Sequence, residues 1–231
     1  YETIKGLLLS KTSAVSISNA RDGAASVSLI GMVKQATEGG FILEDVTGEI
    51  EVVCEGGKNI EEGDVICVRG PIKNGRMSCK GIVYPDVPLL RAIGRTEAAM
   101  LLIPVHGKPA TAADIVLSTE PVETEAKNIV LDSSPLHLSI YKDGKMNILF
   151  YKAENETSQQ DAINMLKKRL LRRPHGLLAD GDAFLIDPVP DIFWILGKGQ
   201  DWIETYKGVT IIHGSEKQAF VDLKTREAKT I

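Results

Sequence analysis

Five residues in the C-terminal half are of types that could together hold a metal ion: Asp180, Asp182, Asp187, Asp191 and His213. Carboxylates and imidazole bind divalent cations, and such cations can activate a water against a phosphodiester. The spacing, however, does not describe a built site. The four histidines, His106, His137, His175 and His213, are widely separated, and none belongs to an H-x-H or H-x-x-x-H pair. His137 alternates within a strand pattern and His175 follows Pro174 in a polar turn, so surface or hydrogen-bonded structural roles are expected. Other chemistries find less support. There is no G-x-S-x-G elbow, no P-loop and no dinucleotide fingerprint. Lys198, between Gly197 and Gly199, has the look of a phosphate-gripping loop but lacks the helix pattern that must follow one, and reads as a strand-end turn.

The elements that position these residues belong to an ordinary globular composition. The 231 residues are 43% hydrophobic and 25% charged, enough for two modest domains. No run approaches the roughly 18 apolar residues a bilayer span requires, and the first residues lack a signal-peptide pattern. A net charge of −4 argues against holding nucleic acid by bulk electrostatics. Cys54, Cys67 and Cys79 lie 13 and 12 positions apart with no C-x-x-C pair. Zinc is therefore not expected, and an odd count suits a reducing cytoplasm. All three read as small core residues.

Residues 1–23 read as a short helix or tail followed by a linker, with Ile4, Leu7 and Leu8 at helical spacing and Leu9 widening the face. From residue 24 to 88 the pattern is short strands, at 26–33, 41–43, 49–54, 64–70 and 76–83. Turn signals separate them, including Lys73-Asn74-Gly75. Five strands in so short a span suggest a small Greek-key barrel of the oligonucleotide/oligosaccharide-binding (OB) type. Residues 89–231 mix strands, expected at 100–105, 129–131, 136–141, 146–151, 183–187, 192–196, 208–212 and 219–223, with one clear helix over 158–172. Ser158 and Asp161 have capping-box spacing there, and Ile163, Leu166 and Leu170 form one face. The fold class expected is mainly β with α/β character.

The order of motifs is similar to that of the archaeal family D DNA polymerase small subunit and the related B-subunits of eukaryotic replicative polymerases. These join an OB barrel to a calcineurin-like phosphoesterase domain. The matching segments are Ser28-Leu-Ile-Gly-Met-Val33, Leu43-Glu-Asp-Val-Thr-Gly48, Gly63-Asp-Val-Ile66, Ile82-Val-Tyr-Pro-Asp-Val-Pro88, Ile186-Asp-Pro-Val-Pro-Asp-Ile-Phe193 and Tyr206-Lys-Gly-Val-Thr-Ile-Ile212. The resemblance implies that 89–231 is a reduced phosphoesterase layer whose metal ligands are gone. The D-x-H and first G-D elements are missing between Pro88 and Met100. In Ile103-Pro-Val-His-Gly-Lys108, His106 is one position out of frame and Lys108 replaces an acid. Lys152 stands where a histidine is implied. In place of G-H-x-H the chain reads Gly197-Lys198-Gly199-Gln200. An ammonium has no lone pair for a metal, and a glutamine amide is a poor substitute for imidazole.

What the resemblance implies is a non-catalytic accessory subunit without cofactor. It would dock on a polymerase large subunit or another replication protein as a hetero-oligomer, with DNA met only indirectly and no membrane. The barrel residues agree: 26–83 hold six Lys/Arg against nine Asp/Glu, with Phe41 the one strand aromatic and Tyr84 at the exit. The basic cluster Lys167, Lys168, Arg169, Arg172 and Arg173 suits the C-terminal end of its helix or, otherwise, an acidic partner or template phosphates. Phe193, Trp194, Trp202 and Tyr206 are the candidates for an apolar docking face, with core burial the plainer expectation. The alternatives are a residual metal-dependent 3′–5′ exonuclease using the Asp/His group above, or an OB-type single-strand nucleic-acid binder.

Overall fold

The computed structural model describes residues 1–54, 59–104, 107–142 (backbone alone at Lys142), 144–172 and 183–231. The chain is mainly β and forms two units: Tyr1–Asp86 with Lys167–Arg169, and Val87–Leu166 with Leu170–Ile231. Within the described residues, no helix is long and apolar enough to cross a membrane.

In the first unit, helix α1 (Glu2–Leu9) buries Ile4 and Leu8, and a 3-10 turn at Ile17–Asn19 buries Ile17. Residues 1–23, expected to include a linker, are thus part of this folded unit. Seven strands follow: β1 (Val27–Thr37), β2 (Gly40–Asp45), β3 (Gly48–Val53), β4 (Val65–Gly70), β5 (Ile72–Lys73), β6 (Arg76–Ser78) and β7 (Gly81–Val83). They form one sheet in the order β5-β6-β3-β2-β1-β4-β7. The β3–β6 pairing is parallel and the others are antiparallel. The strand expected over 76–83 is broken at Cys79 and Lys80. Its first half lies on β3, its second on β4, and these are far apart in the row. One kinked segment therefore joins the two sides, and the sheet curls into a half-barrel. A bulge between Val33 and Gln35 gives β1 the bend this needs. At the seam a Cβ on Gly70 would overlap the Ser78 carbonyl, so only glycine lets the two backbones approach so closely. Leu29, Val33, Phe41, Leu43, Val52, Ile66, Val68 and Met77 fill the interior.

The second unit is two sheets and a helix. One sheet has the order β10-β9-β8-β16-β17, from β8 (Ala99–Ile103), β9 (Ile115–Ser118), β10 (Lys127–Val130), β16 (Ala219–Asp222) and β17 (Ala228–Thr230). The other has the order β11-β12-β13-β15-β14, from β11 (Leu136–Lys142), β12 (Gly144–Lys152), β13 (Ile192–Leu196), β14 (Trp202–Tyr206) and β15 (Val209–Gly214). Strands β12, β13 and β15 are parallel, flanked by antiparallel β11 and β14. The two sheets face one another: Met100, Leu102 and Leu117 of the first meet Ile148, Phe150, Trp194 and Ile212 of the second. The second sheet's other face carries Leu149, Phe193, Ile195 and Ile211 against Ala162, Met165 and Leu166 of helix α2 (Gln159–Lys168). Covered on both faces, β13 reads Ile-Phe-Trp-Ile-Leu without alternation.

Two sequence expectations are corrected here. The helix expected over 158–172 stops at Lys168, where Arg169 takes a left-handed φ of 56°. The strand expected over 183–187 is a turn with a single bridge, Leu185 to Leu170. Its apolar run is accounted for by burial of Phe184 and Ile186 with α2 and the sheet face α2 covers, rather than by a strand ladder of its own.

Candidate functional site

Parallel strands bring their C-terminal ends to one edge, and there the second unit gathers the positions in question. Lys152 pairs in register with Leu196, and Leu196 with Gly214. Beyond this rung the backbone stays bonded: Ala153 N donates to Leu196 O at 2.7 Å and Gly197 N to Gly214 O at 3.2 Å. Pro104, after β8, stands about van der Waals distance from Gly214, at 3.5 Å from where a Cβ would be.

Among the described residues, His213 is the imidazole held in this edge. It is fully buried and stacks on Trp202, with ring centroids 5.3 Å apart and planes 10° from parallel. Its Nδ1 lies 2.9 Å from the Gln200 carbonyl oxygen, which can only accept, so Nδ1 carries the proton. Nε2, also buried, has no hydrogen-bond partner among the described residues. It faces Gly197, where a Cβ would stand 3.2 Å away beside Ala153. An anchored Nδ1–H with a free Nε2 is how metal-binding histidines are commonly oriented. Among the described residues, the rest of a ligand set is not beside it. Lys152, Lys198 and Gln200 all point to solvent, as does Lys108, whose carbonyl accepts from Gln218 Nε2 at 2.7 Å. Among the described residues no three His, Cys, Asp or Glu side chains are grouped to hold an ion. The neighbouring loop is closed by Asp201. Its carboxylate accepts from Ser215 N at 2.5 Å, Ser215 Oγ at 3.0 Å and Lys217 N at 3.2 Å. Burial works to raise the Asp201 pKa, but these bonds together hold it below the ordinary value.

Of the Asp/His group considered from sequence, the described members Asp187, Asp191 and His213 do not assemble. Asp180, Asp182, His106, His175 and Arg173 lie outside the described residues. Asp187 is exposed. Asp191 sits at the opposite end of the same strands, beside Ile192, whose partner is Thr210. His213 is three rungs further along, roughly 10 Å at the usual strand rise. Asp191 does a different job there. Buried to 2% exposure, its Oδ1 accepts from Arg91 Nη1 at 2.7 Å and Gly94 N at 3.0 Å, and its Oδ2 from Asn147 N at 2.9 Å. Arg226 adds an ion pair at 3.8 Å, a bond to the Asp191 carbonyl and one to Thr210 Oγ1 at 3.1 Å. Burial lowers the Arg226 pKa to about 10, with Asp191 opposing and Arg91 and Arg95 adding to the drop. This clamp was missed in the sequence because its members come from four separate segments.

The remaining candidates divide between core and surface. Phe193 and Trp194 are buried on opposite faces of their sheet. Trp202 and Tyr206 are half-buried, and Trp202 Nε1 donates to Thr157 O at 3.3 Å. The fully outward apolar side chains of this unit include Leu89, Leu90 and Tyr141, which sequence patterning does not single out. Of the basic cluster, Arg172 pairs with Asp161 at 2.6 Å, and Arg169 is buried to 2% exposure. In the first unit, Lys168 pairs with Glu61 at 2.8 Å and Asp64 at 2.9 Å; Lys167 is half-buried. Burial raises the Asp64 pKa in spite of Lys168 beside it.

Fold and edge together define a mainly β protein with several sheets, one of them a half-barrel, and a strand-end edge with an anchored imidazole at His213. No family model matches the chain. Over 98 residues it is 34% identical to the DNA polymerase II small subunit of Archaeoglobus fulgidus, an alignment taking in 38% of this chain. The chain spans only 20% of the length of that curated relative. A Thermotoga maritima protein solved by solution NMR covers 58% of this chain and 96% of its own, at 11% identity and a TM-score of 0.34. A likeness at that level carries no argument.

Proposed function

We propose that this chain is a non-catalytic accessory subunit of the DNA polymerase small-subunit kind, which docks a catalytic large subunit and leaves the chemistry to it. The observation that carries this reading is the 34% identity over 98 residues to an archaeal polymerase small subunit. On this reading the first unit is an OB-type barrel. An antiparallel row with one parallel pairing, closed by a kinked last segment, supports that assignment. The second unit is a reduced calcineurin-like phosphoesterase layer of archaeal origin. Its strand-end edge presents Lys152, Lys198 and Gln200 to solvent, and these are not the donors that two divalent cations require. The barrel, with six basic against nine acidic residues over 26–83, favours a protein partner over a nucleic-acid strand.

The test is to mix the purified chain with a family D polymerase large subunit and read the mass of the complex by light scattering on a sizing column. A one-to-one complex is the expected result. Absence of association at micromolar concentrations, or manganese-dependent nuclease activity in the chain alone, would overturn the reading.

A further inference from the structure

Where the curled sheet of the first unit closes, two of its three free cysteines meet. Strand β3 pairs in parallel with β6, and the last rung of the pair is Val53 with Ser78. One residue further along each chain stand Cys54 and Cys79. Their backbones are fixed there: Cys79 N donates to Val53 O at 2.8 Å, and Cys54 N to Gly39 O at 3.0 Å. Adjacent strands run about 4.8 Å apart, inside the roughly 4.4–6.8 Å window of Cα separations that a disulfide bridges without backbone movement. Both side chains turn to the same interior, Cys54 buried and Cys79 half-covered against it. Cys67 is fully buried, is absent from the interior cluster that holds the other two, and takes no part.

We infer that Cys54 and Cys79 form a reversible disulfide, a modification site that staples the closing seam of the half-barrel when a low-molecular-weight disulfide is the oxidant. The half-exposed Cys79 reacts first. Its thiolate attacks the oxidant, one thiol leaves, and Cys79 carries a mixed disulfide. Burial and the neighbouring Cys79 hold the Cys54 thiol up at about 12, so Cys54 does not attack solvent oxidants itself. Cys54 then loses its proton, attacks the Cys79 sulfur and expels the second thiol. Two protein thiols and one small disulfide thus become one protein disulfide and two small thiols. Tyr84, whose phenol is raised to about 12 first by burial and then by Asp64 and both thiols, stays neutral beside them.

The experiment treats the full, reduced chain with oxidised glutathione, quenches by alkylation and reads intact mass and linked peptides. Expected are a loss of about 2 Da before alkylation, a peptide joining Cys54 to Cys79, and a single alkylatable thiol, Cys67, after unfolding. The Cys67→Ala chain behaves likewise. In Cys54→Ala the reaction stops at glutathione on Cys79, which reports the order of attack without requiring a bridge. Three alkylatable thiols after treatment, a bridge to Cys67, a bridge formed only in denaturant, or glutathione persisting on Cys79 of the unmutated chain would each overturn the inference.

Discussion

The two ends of the parallel strands β12, β13 and β15 are built on opposite plans. At the N-terminal end a buried carboxylate is saturated: Asp191 accepts from Arg91, Gly94 and Asn147 and is flanked by Arg226. At the C-terminal end the charged side chains Lys152 and Lys198 face water, and the buried ring of His213 keeps a nitrogen without a partner among the described residues. A buried charge is tolerated only when its lone pairs and its counter-charge are all supplied. The first end meets that condition and so contributes to holding the unit together. The second end has avoided the condition by sending its charges outward. An edge that once needed buried ligands, and no longer does, would be left in this state, which is what the accessory-subunit reading asks of it.

The largest effect should come from the saturated end. Asp191→Ala leaves Arg91 and Arg226 buried side by side without their counter-charge, and orphans the Gly94 and Asn147 amides. We expect a loss of about 3–5 kcal/mol of unfolding free energy, read from the urea midpoint of the intact chain. His213→Phe is the matched change at the other end. It keeps the ring stacked on Trp202, removes the unpartnered Nε2 and gives up the bond to the Gln200 carbonyl. The expected cost is at most about 1 kcal/mol. Equal costs at the two ends would break the comparison, because they would mean that Nε2 is satisfied in solution by a group of real value.

How much of this was legible depended on whether the physics was local. The start of α2 was readable because a capping box is a four-residue device: Ser158 Oγ and N both meet the Asp161 carboxylate, at 2.7 Å and 3.1 Å. Its end was not, since no glycine or proline marks the stop. The chain turns at Arg169, where Leu170 bonds back to Met165 O at 3.1 Å and then meets Leu185. An apolar run such as Phe184-Leu185-Ile186 looks like a strand from within, but burial of Phe184 and Ile186 with α2 and the sheet beneath it accounts for the run without a strand ladder. Short strands β9, β14 and β17 escaped notice for the opposite reason, as their pattern is too brief to stand out before partners are known. The metal-ligand types were visible as types, but residue type alone cannot say which end of a sheet a residue occupies. Asp191 and His213 read as one group and lie at opposite ends. The clamp on Asp191 draws on positions 91, 94, 147 and 226, so no window of sequence contains it.

The smallest expected effect sharpens the comparison by asking which end responds to pH. His137 lies on the edge strand β11, in register with Leu149 and near the C-terminal end of β12. Burial pushes its pKa below the ordinary 6.5, against a backbone hydrogen bond at Leu185 and the charge of Asp187, which favour the protonated ring. The unfolded chain therefore binds this proton more readily than the folded one. Stability then falls as pH drops through about 6.5 and levels off once the folded ring is itself protonated. Urea unfolding between pH 5 and 8 should show that slope, and His137→Gln should flatten it while leaving stability at pH 8 nearly unchanged. A slope that survives His137→Gln unchanged would break this assignment and take the pH response away from the edge strand.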